Sequence, residues 1–196
     1  SKEALSVLDG IMAKLRCIAE RTSHLLAKRD GVFPAWEESE WTMEVRNGGL
    51  LTIAPTGSIS LLANCSSGIE PVFNWVYKRR NTVGKEFLMV HPLFDADLRK
   101  MVMDDDALYN EIINQIYNEG TLQNVDVLPQ KVKDLYKCAL DIAPVWHIRT
   151  QATAQKHIDA SISKTINLPE HASPADVAEI YTMAYDLGCK GITLYR

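Results

Sequence analysis

Within this chain, Thr56-Gly57-Ser58-Ile59-Ser60 holds the residues best suited to bind a charged ligand. The apolar run Gly49-Leu-Leu-Thr-Ile-Ala54 stops at Pro55, and a helix is expected to begin near Ser58. The first N–H groups of a helix lack intrahelical acceptors and carry partial positive charge. Gly57 permits close backbone approach, and Thr56, Ser58 and Ser60 add hydroxyls. This chemistry suits an anion, most naturally a phosphate. No Gly-Lys-Ser/Thr follows, so the segment is not a Walker loop. The same residues also suit a plain cap, in which Thr56 and Ser58 satisfy only their own helix. A second polar stretch, Ala63-Asn-Cys-Ser-Ser-Gly-Ile-Glu-Pro71, reads as a helix end at Gly68 followed by a turn. In it Glu70 is either aimed at the site or a surface charge, and Cys65 is either a redox thiol or a small buried filler.

Other chemistry finds less support. Cys17, Cys65, Cys138 and Cys189 are scattered, with no C-x-x-C pair. A zinc ribbon is excluded on spacing, a disulfide framework is not expected, and a reducing cytoplasm fits best. The five histidines form no H-x-x-x-H, and His157, Asp159 and Ser161 read as three faces of one helix, so no metal site is expected. Asp104-Asp105-Asp106 reads as a solvated helix start. Lys164 and Arg149 read as surface charges at strand and helix ends, with the lining of a ligand pocket as the alternative, Tyr195 as a packing residue, and Trp36, Trp41, Trp75 and Trp146 as core or rim aromatics. With 46% hydrophobic and 23% charged residues, the composition is that of a folded chain. No apolar run approaches the roughly 18 residues of a membrane span. A net charge of −4 argues against a broad nucleic-acid-binding face. Ser1-Lys-Glu-Ala4 lacks the features of a secretory signal.

The elements that must position these residues follow from periodicity. Leu5, Leu8, Ile11, Leu15, Ile18, Thr22 and Leu25 recur every three or four residues, predicting a long helix from Ala4 to about Arg29 that Gly31 stops. Gly49–Ala54 reads as a buried strand, Ile59–Ala63 as a helix start, and Val72–Val83 as an extended piece ending at Asn81-Thr82-Val83-Gly84. Pro92 to about Ile142 reads as helical: one apolar stripe from Leu93 to Val102, a next helix that Asp104-Asp105-Asp106 caps and Gly120 ends, and a third roughly from Pro129 to Leu140. Pro144 to about Ser161 is a helix candidate and Ser163–Leu168 a short strand. Ser173-Pro174-Ala-Asp176 opens a helix that Gly188 caps, and Gly191–Tyr195 is a final strand. Strand, helix and strand at this spacing predict a parallel βαβ unit. The chain stops at Arg196, immediately after that strand, which is expected of a piece of something longer. With no repeat and no linker, residues 1–196 are expected to form a single α/β domain.

Thr52-Ile-Ala-Pro-Thr-Gly-Ser-Ile-Ser60, followed by Cys65-Ser-Ser-Gly-Ile-Glu-Pro71, resembles the catalytic subunit of ribonucleotide reductases, most closely the adenosylcobalamin (vitamin B12)-dependent class II branch. Further segments agree: Gly31-Val-Phe-Pro-Ala-Trp36, Arg46-Asn47, His147-Ile-Arg-Thr-Gln-Ala152 with Gln155-Lys-His157, Ser163-Lys-Thr-Ile-Asn-Leu-Pro169, and Leu187-Gly-Cys-Lys-Gly-Ile-Thr-Leu-Tyr-Arg196. The resemblance implies an α/β fold, a helix-rich C-terminal portion of a ten-stranded α/β barrel with short, mostly parallel strands. It implies an oxidoreductase of deoxyribonucleotide biosynthesis that reduces the ribose 2′-OH through a thiyl radical. By the same resemblance Thr56, Gly57, Ser58, Ile59 and Ser60 bind the substrate's phosphates, and Pro55 shapes the turn. The family's Asn-Pro-Cys-Gly-Glu loop is absent here, so no catalytic residue is assigned. The reducing cysteine pair would lie upstream of the matched region, and the pair that exchanges electrons with a thioredoxin-type reductant beyond Arg196. The chain alone is therefore expected to be inactive, with a ribonucleotide and the upstream part of the barrel as its partners. Two other readings stay open: a diiron-dependent class I large subunit, or a non-catalytic helical binding module whose anion loop is only a cap.

Overall fold

The computed structural model describes residues 1–63, 65–80 and 83–196. In chain order the elements are α1 (Lys2–Asp30), α2 (Gly57–Ala63), β1 (Val76–Arg80), β2 (Glu86–Val90), α3 (Pro92–Met101), α4 (Asp106–Glu119) and α5 (Gln130–Leu135). A 3-10 turn (Ala139–Asp141), α6 (Pro144–Gln155), β3 (Thr165–Asn167), α7 (Pro174–Asp186) and β4 (Thr193–Tyr195) complete the chain. They gather into two compact units, Ser1–Glu70 with Pro144–Arg196, and Pro71–Ala143.

The first unit is organised around α6, which packs against α1, β3 and α7. Residues on several of its faces are buried, including His147, Ile148, Gln151, Ala154 and Gln155, so the helix shows no single apolar stripe. On one side Met12, Ala154, Ile158 and Ile162 form a cluster joined by Leu8, Leu51, Ile53 and Ile69. On the other, Ile148, Ile166, Leu168, Ala172, Ile180 and Ala184 form a second. The expected strand–helix–strand unit is present. Ser173 and Asp176 close a reciprocal capping box at the start of α7, and β3 pairs with β4 in parallel, Ile166 opposite Leu194.

Three sequence expectations need correction in this unit. First, α1 forms as expected, but it does not bury its apolar stripe. Ile11, Leu15, Ile18 and Leu25 are about half exposed, while Met12, Ser23 and Ala27 are buried. Periodicity shows that a face is apolar, not what covers it. Second, Gly49–Ala54 is extended but forms no regular strand. Its pairing is a single parallel bridge, Ile53 to Ile162. The Asp159 carboxylate takes the N–H groups of Leu50 and Leu51 at 2.5 and 2.8 Å, where a strand would have a neighbouring backbone. Third, the helix starting at Pro144 ends at Gln155, not Ser161. The Gln155 amide donates to the Ile158 and Ala160 carbonyls, both at 3.0 Å, and turns the chain out of the helix. His157, Asp159 and Ser161 are therefore not faces of one helix. His157 Nε2 lies 3.0 Å from Asp9, Asp159 also pairs with Arg16 at 3.1 Å, and the Ser161 carbonyl accepts from Thr52 Oγ1 at 2.9 Å.

In the second unit β1 and β2 form an antiparallel hairpin, Val76 opposite Val90 and Arg80 opposite Glu86. The sequence predicts one extended piece over 72–83, and the structure adds β2 as its partner; Asn81 and Thr82, at the expected end of that piece, lie outside the described residues. Phe94, Leu98, Ile112, Ile113, Ile116, Leu122 and Val125 fill the core. Asp105 caps α4, accepting from Ala107 and Leu108 N–H, and Gly120 ends it at φ +70°. This is the solvated helix start expected of the acidic run. The third helix is shorter than expected, because α5 stops at Leu135 and a separate 3-10 turn follows.

Candidate functional site

The chain leaves the bridge between Ile53 and Ile162, passes Ala54 and Pro55, and enters α2 through Thr56. Thr56 has φ +50°, a left-handed conformation that is costly for a β-branched residue and persists only when its surroundings hold it. Gly57 opens the helix and has no left-handed φ. The Ser60 N–H donates to the Thr56 carbonyl at 2.9 Å. Ser60 is buried, and its hydroxyl donates to the Gly57 carbonyl, also at 2.9 Å. Ser60 thus closes the first turn internally. The N–H groups of Gly57, Ser58 and Ile59 have no acceptor among the described residues, and all three residues are exposed. An ideal Cβ placed on Gly57 would meet nothing within 4 Å. The five residues singled out from the sequence therefore form one turn: the amides of three exposed residues, Thr56 beside them, and Ser60 beneath.

The turn at residues 67–70 underlies this loop. The Ser67 hydroxyl donates to the Pro55 carbonyl and lies 3.3 Å from Thr56 Oγ1. Gly68, at φ +52°, sits so close to the loop that a Cβ there would come within 3.1 Å of Ile53 Cγ2. The Glu70 N–H returns to the Ser67 carbonyl at 2.9 Å. Cys65, in contrast, is exposed.

Glu70 leads to a cluster that sequence reasoning missed. Its Oε1 accepts the Thr165 N–H at 2.5 Å, and its Oε2 accepts from Lys164 Nζ at 2.6 Å. Lys164 is only 2% exposed. Its ammonium also donates to His147 Nδ1 at 3.0 Å and to the Thr165 carbonyl. A lysine ammonium has three donors and no acceptor, so all three are used and His147 Nδ1 is the acceptor. Burial pulls the Lys164 pKa below the ordinary lysine range, against the opposing pull of Glu70. The surface-charge reading of Lys164 is thus overturned, and the reason is legible afterwards. Ile162, Ile166 and Leu168 are buried with a two-residue period that puts Lys164 on their face. For Arg149 the surface reading holds: it is exposed and lies over the Trp146 ring. Tyr195 is exposed on β4.

Elsewhere in this unit a shallow cavity of about 440 Å³ opens between α6 and α7, lined by Arg149, Glu179, Thr182, Met183, Asp186 and Leu187. Among the described residues no group of three His, Cys, Asp or Glu side chains is placed to hold a metal ion, and no helix is long and apolar enough to cross a membrane.

Residues 43–195 match the family of the ribonucleotide reductase barrel domain. Over its whole length the chain is 42% identical to a vitamin B12-dependent ribonucleoside-diphosphate reductase of Thermoplasma acidophilum and 37% identical to one of Mycobacterium tuberculosis, covering 25% and 28% of those proteins. It is 28% identical to a putative ribonucleoside-diphosphate reductase large subunit of Frog virus 3, covering 33% of it. Among solved structures, the alpha subunit of an Actinobacillus ureae class Id ribonucleotide reductase superposes over the whole chain with a TM-score of 0.81 at 26% identity, with 34% of that subunit covered. The chain thus spans about a quarter to a third of the length of these relatives.

Proposed function

The chain belongs to the ribonucleotide reductase barrel-domain family, and from that premise we propose that it is part of the catalytic barrel of a class II, vitamin B12-dependent reductase and carries the loop that holds the substrate's phosphates. Family membership removes the non-catalytic helical module as an alternative. The class II reading rests on the most similar of the relatives above: two B12-dependent reductases are 37% and 42% identical over the whole chain, against 26–28% for the class Id subunit and the viral large subunit, while further B12-dependent reductases are 28–30% identical over 77% of the chain.

The observation that carries the phosphate reading is the first turn of α2. The N–H groups of three exposed residues, Gly57, Ser58 and Ile59, lack acceptors among the described residues. A phosphate seated there gains charge-assisted hydrogen bonds, each contributing about 1.5–3 kcal/mol. The Ser58 and Thr56 hydroxyls flank the same turn, and Ser60 keeps it closed through the Gly57 carbonyl. In the intact enzyme this holds the nucleotide by its phosphate end and leaves the ribose free to meet the radical cysteine, which the rest of the protein supplies. Adenosylcobalamin supplies the initiating radical when bound. The charged lining and small volume of the cavity between α6 and α7 do not suit a corrin, so no residue of this chain is assigned to hold the cofactor. A thioredoxin-type reductant and a cytoplasmic location complete the reading. All 196 residues act as one segment of the barrel, and the exposed apolar stripe of α1 is the kind of surface that its other elements would cover.

Calorimetric titration with a ribonucleoside diphosphate and with inorganic diphosphate tests the reading. Binding of both, weakened about tenfold in Gly57→Ala and in Ser58→Ala, is expected. Equal affinity in wild type and both variants refutes the loop assignment.

A further inference from the structure

Three consecutive residues, Ser163, Lys164 and Thr165, hold the proposed phosphate loop and the turn beneath it. The Ser163 N–H donates to the Ile53 carbonyl at 2.8 Å, immediately before the loop. Lys164 and Thr165 both bind the Glu70 carboxylate, at 2.6 and 2.5 Å. Glu70 closes the 67–70 turn, whose Ser67 hydroxyl holds the Pro55 carbonyl and touches Thr56, and whose Gly68 packs on Ile53 and Ala54. Loop, turn and strand are thus joined in a closed circuit around Thr56, the residue whose left-handed backbone needs external support. Apolar side chains at 70 and 164 would fill the same space. They would not fix the direction in which the turn meets the strand, because apolar packing is non-directional, whereas a carboxylate shared between an ammonium and a backbone N–H is directional.

We propose that Glu70 and Lys164, with His147 as the lysine's third acceptor, are positioning residues that hold the Pro55–Ser58 loop in its ligand-ready shape. Neither side chain need touch the substrate. The inference rests on the phosphate reading of the loop and adds the residues that set its geometry.

The test uses full-length protein carrying Glu70→Gln, Lys164→Met, or both. The double variant leaves no unpaired buried charge and serves where a single variant does not fold. Two quantities are read: the ratio of affinities for a ribonucleoside diphosphate and the matching ribonucleoside, and hydrogen exchange of peptides covering 53–60. The wild type is expected to prefer the diphosphate. The variants should reduce that preference at least tenfold while nucleoside affinity changes less than twofold. Exchange over 53–60 should accelerate about tenfold, with peptides from α4 unchanged; a purely structural pair would speed both regions together and lower both affinities. Folded variants that keep the wild-type preference and the wild-type exchange overturn the proposal. Gly57→Ala separates the two readings. If it reduces the preference and the Glu70 and Lys164 variants do not, the cradle stands and the positioning role falls. If wild type shows no preference for the diphosphate, the cradle reading fails and the positioning role with it.

Discussion

Two glycines eleven residues apart in the sequence should respond in opposite ways to the same added methyl group. Gly68 has φ +52°, and a Cβ there meets Ile53 Cγ2 at 3.1 Å and the Ala54 carbonyl at 3.5 Å. An L-residue in that backbone region costs about 1–2 kcal/mol, and the crowding against Ile53 adds to it. Gly57 has no left-handed φ, and its Cβ would find open space. Alanine in the first turn of α2 should therefore be neutral or stabilising by up to about 0.5–1 kcal/mol, from the helix preference of alanine over glycine. For a chain of this size each kcal/mol moves the melting midpoint by about 2–4 °C. Scanning calorimetry should show Gly68→Ala melting about 2–8 °C lower and Gly57→Ala unchanged or a few degrees higher. In ligand titration the order reverses in meaning: Gly57→Ala, the stable variant, should lose about tenfold in diphosphate affinity, or about 1.4 kcal/mol. Glycine at 57 would then serve the ligand, since the fold does not require it. A Gly57→Ala protein destabilised as much as Gly68→Ala would refute the described backbone at the start of α2. A stable Gly57→Ala protein with full diphosphate affinity would refute the cradle.

Other outcomes follow from the same structure. Burial, aided by hydrogen bonds to Asp95 and Asp97, pushes the phenols of Tyr109 and Tyr136 up to about 12 from their ordinary 10. The folded chain therefore holds these protons more tightly than the unfolded chain. Their stabilising share is complete below about pH 10 and disappears towards pH 12, so urea-unfolding free energies should fall across that window, less steeply in Tyr136→Phe. Cys17 and Cys65 are exposed, whereas Cys138 is buried with its thiol pushed up to about 11. A thiol reagent at pH 8 should label Cys17 and Cys65 quickly and Cys138 only on unfolding; rapid labelling of Cys138 in the native protein would contradict its burial. Ile116 is fully buried among Phe94, Leu98 and Ile112, and Ile116→Ala should cost about 2–5 kcal/mol in chemical denaturation. Ser173→Ala removes one arm of the α7 capping box and should cost about 1 kcal/mol by the same measurement.

Much of the local structure was written in residue order. The cap at Ser173, the stop at Gly120 and the length of α1 each depend on contacts within a few residues, which propensity and periodicity encode directly; the parallel pairing of Thr165–Asn167 with Thr193–Tyr195 is not local, and it was legible only through the order of strand, helix and strand. The loop at 56–60 was legible for the first of these reasons: a strand-breaking proline, a glycine and a helix start are local signals, and the ordered matches around them pointed to the family. The tertiary structure decided the rest. It ended α6 at Gln155, because Gln155 captures carbonyls that a helix would have used. It replaced a strand neighbour with the Asp159 carboxylate, 108 residues away from Leu51. It also joined Glu70 to Lys164 across 94 residues and buried that lysine behind His147. A charged side chain has no hydrophobic period of its own, so its burial becomes visible only when the fold brings its acceptors together.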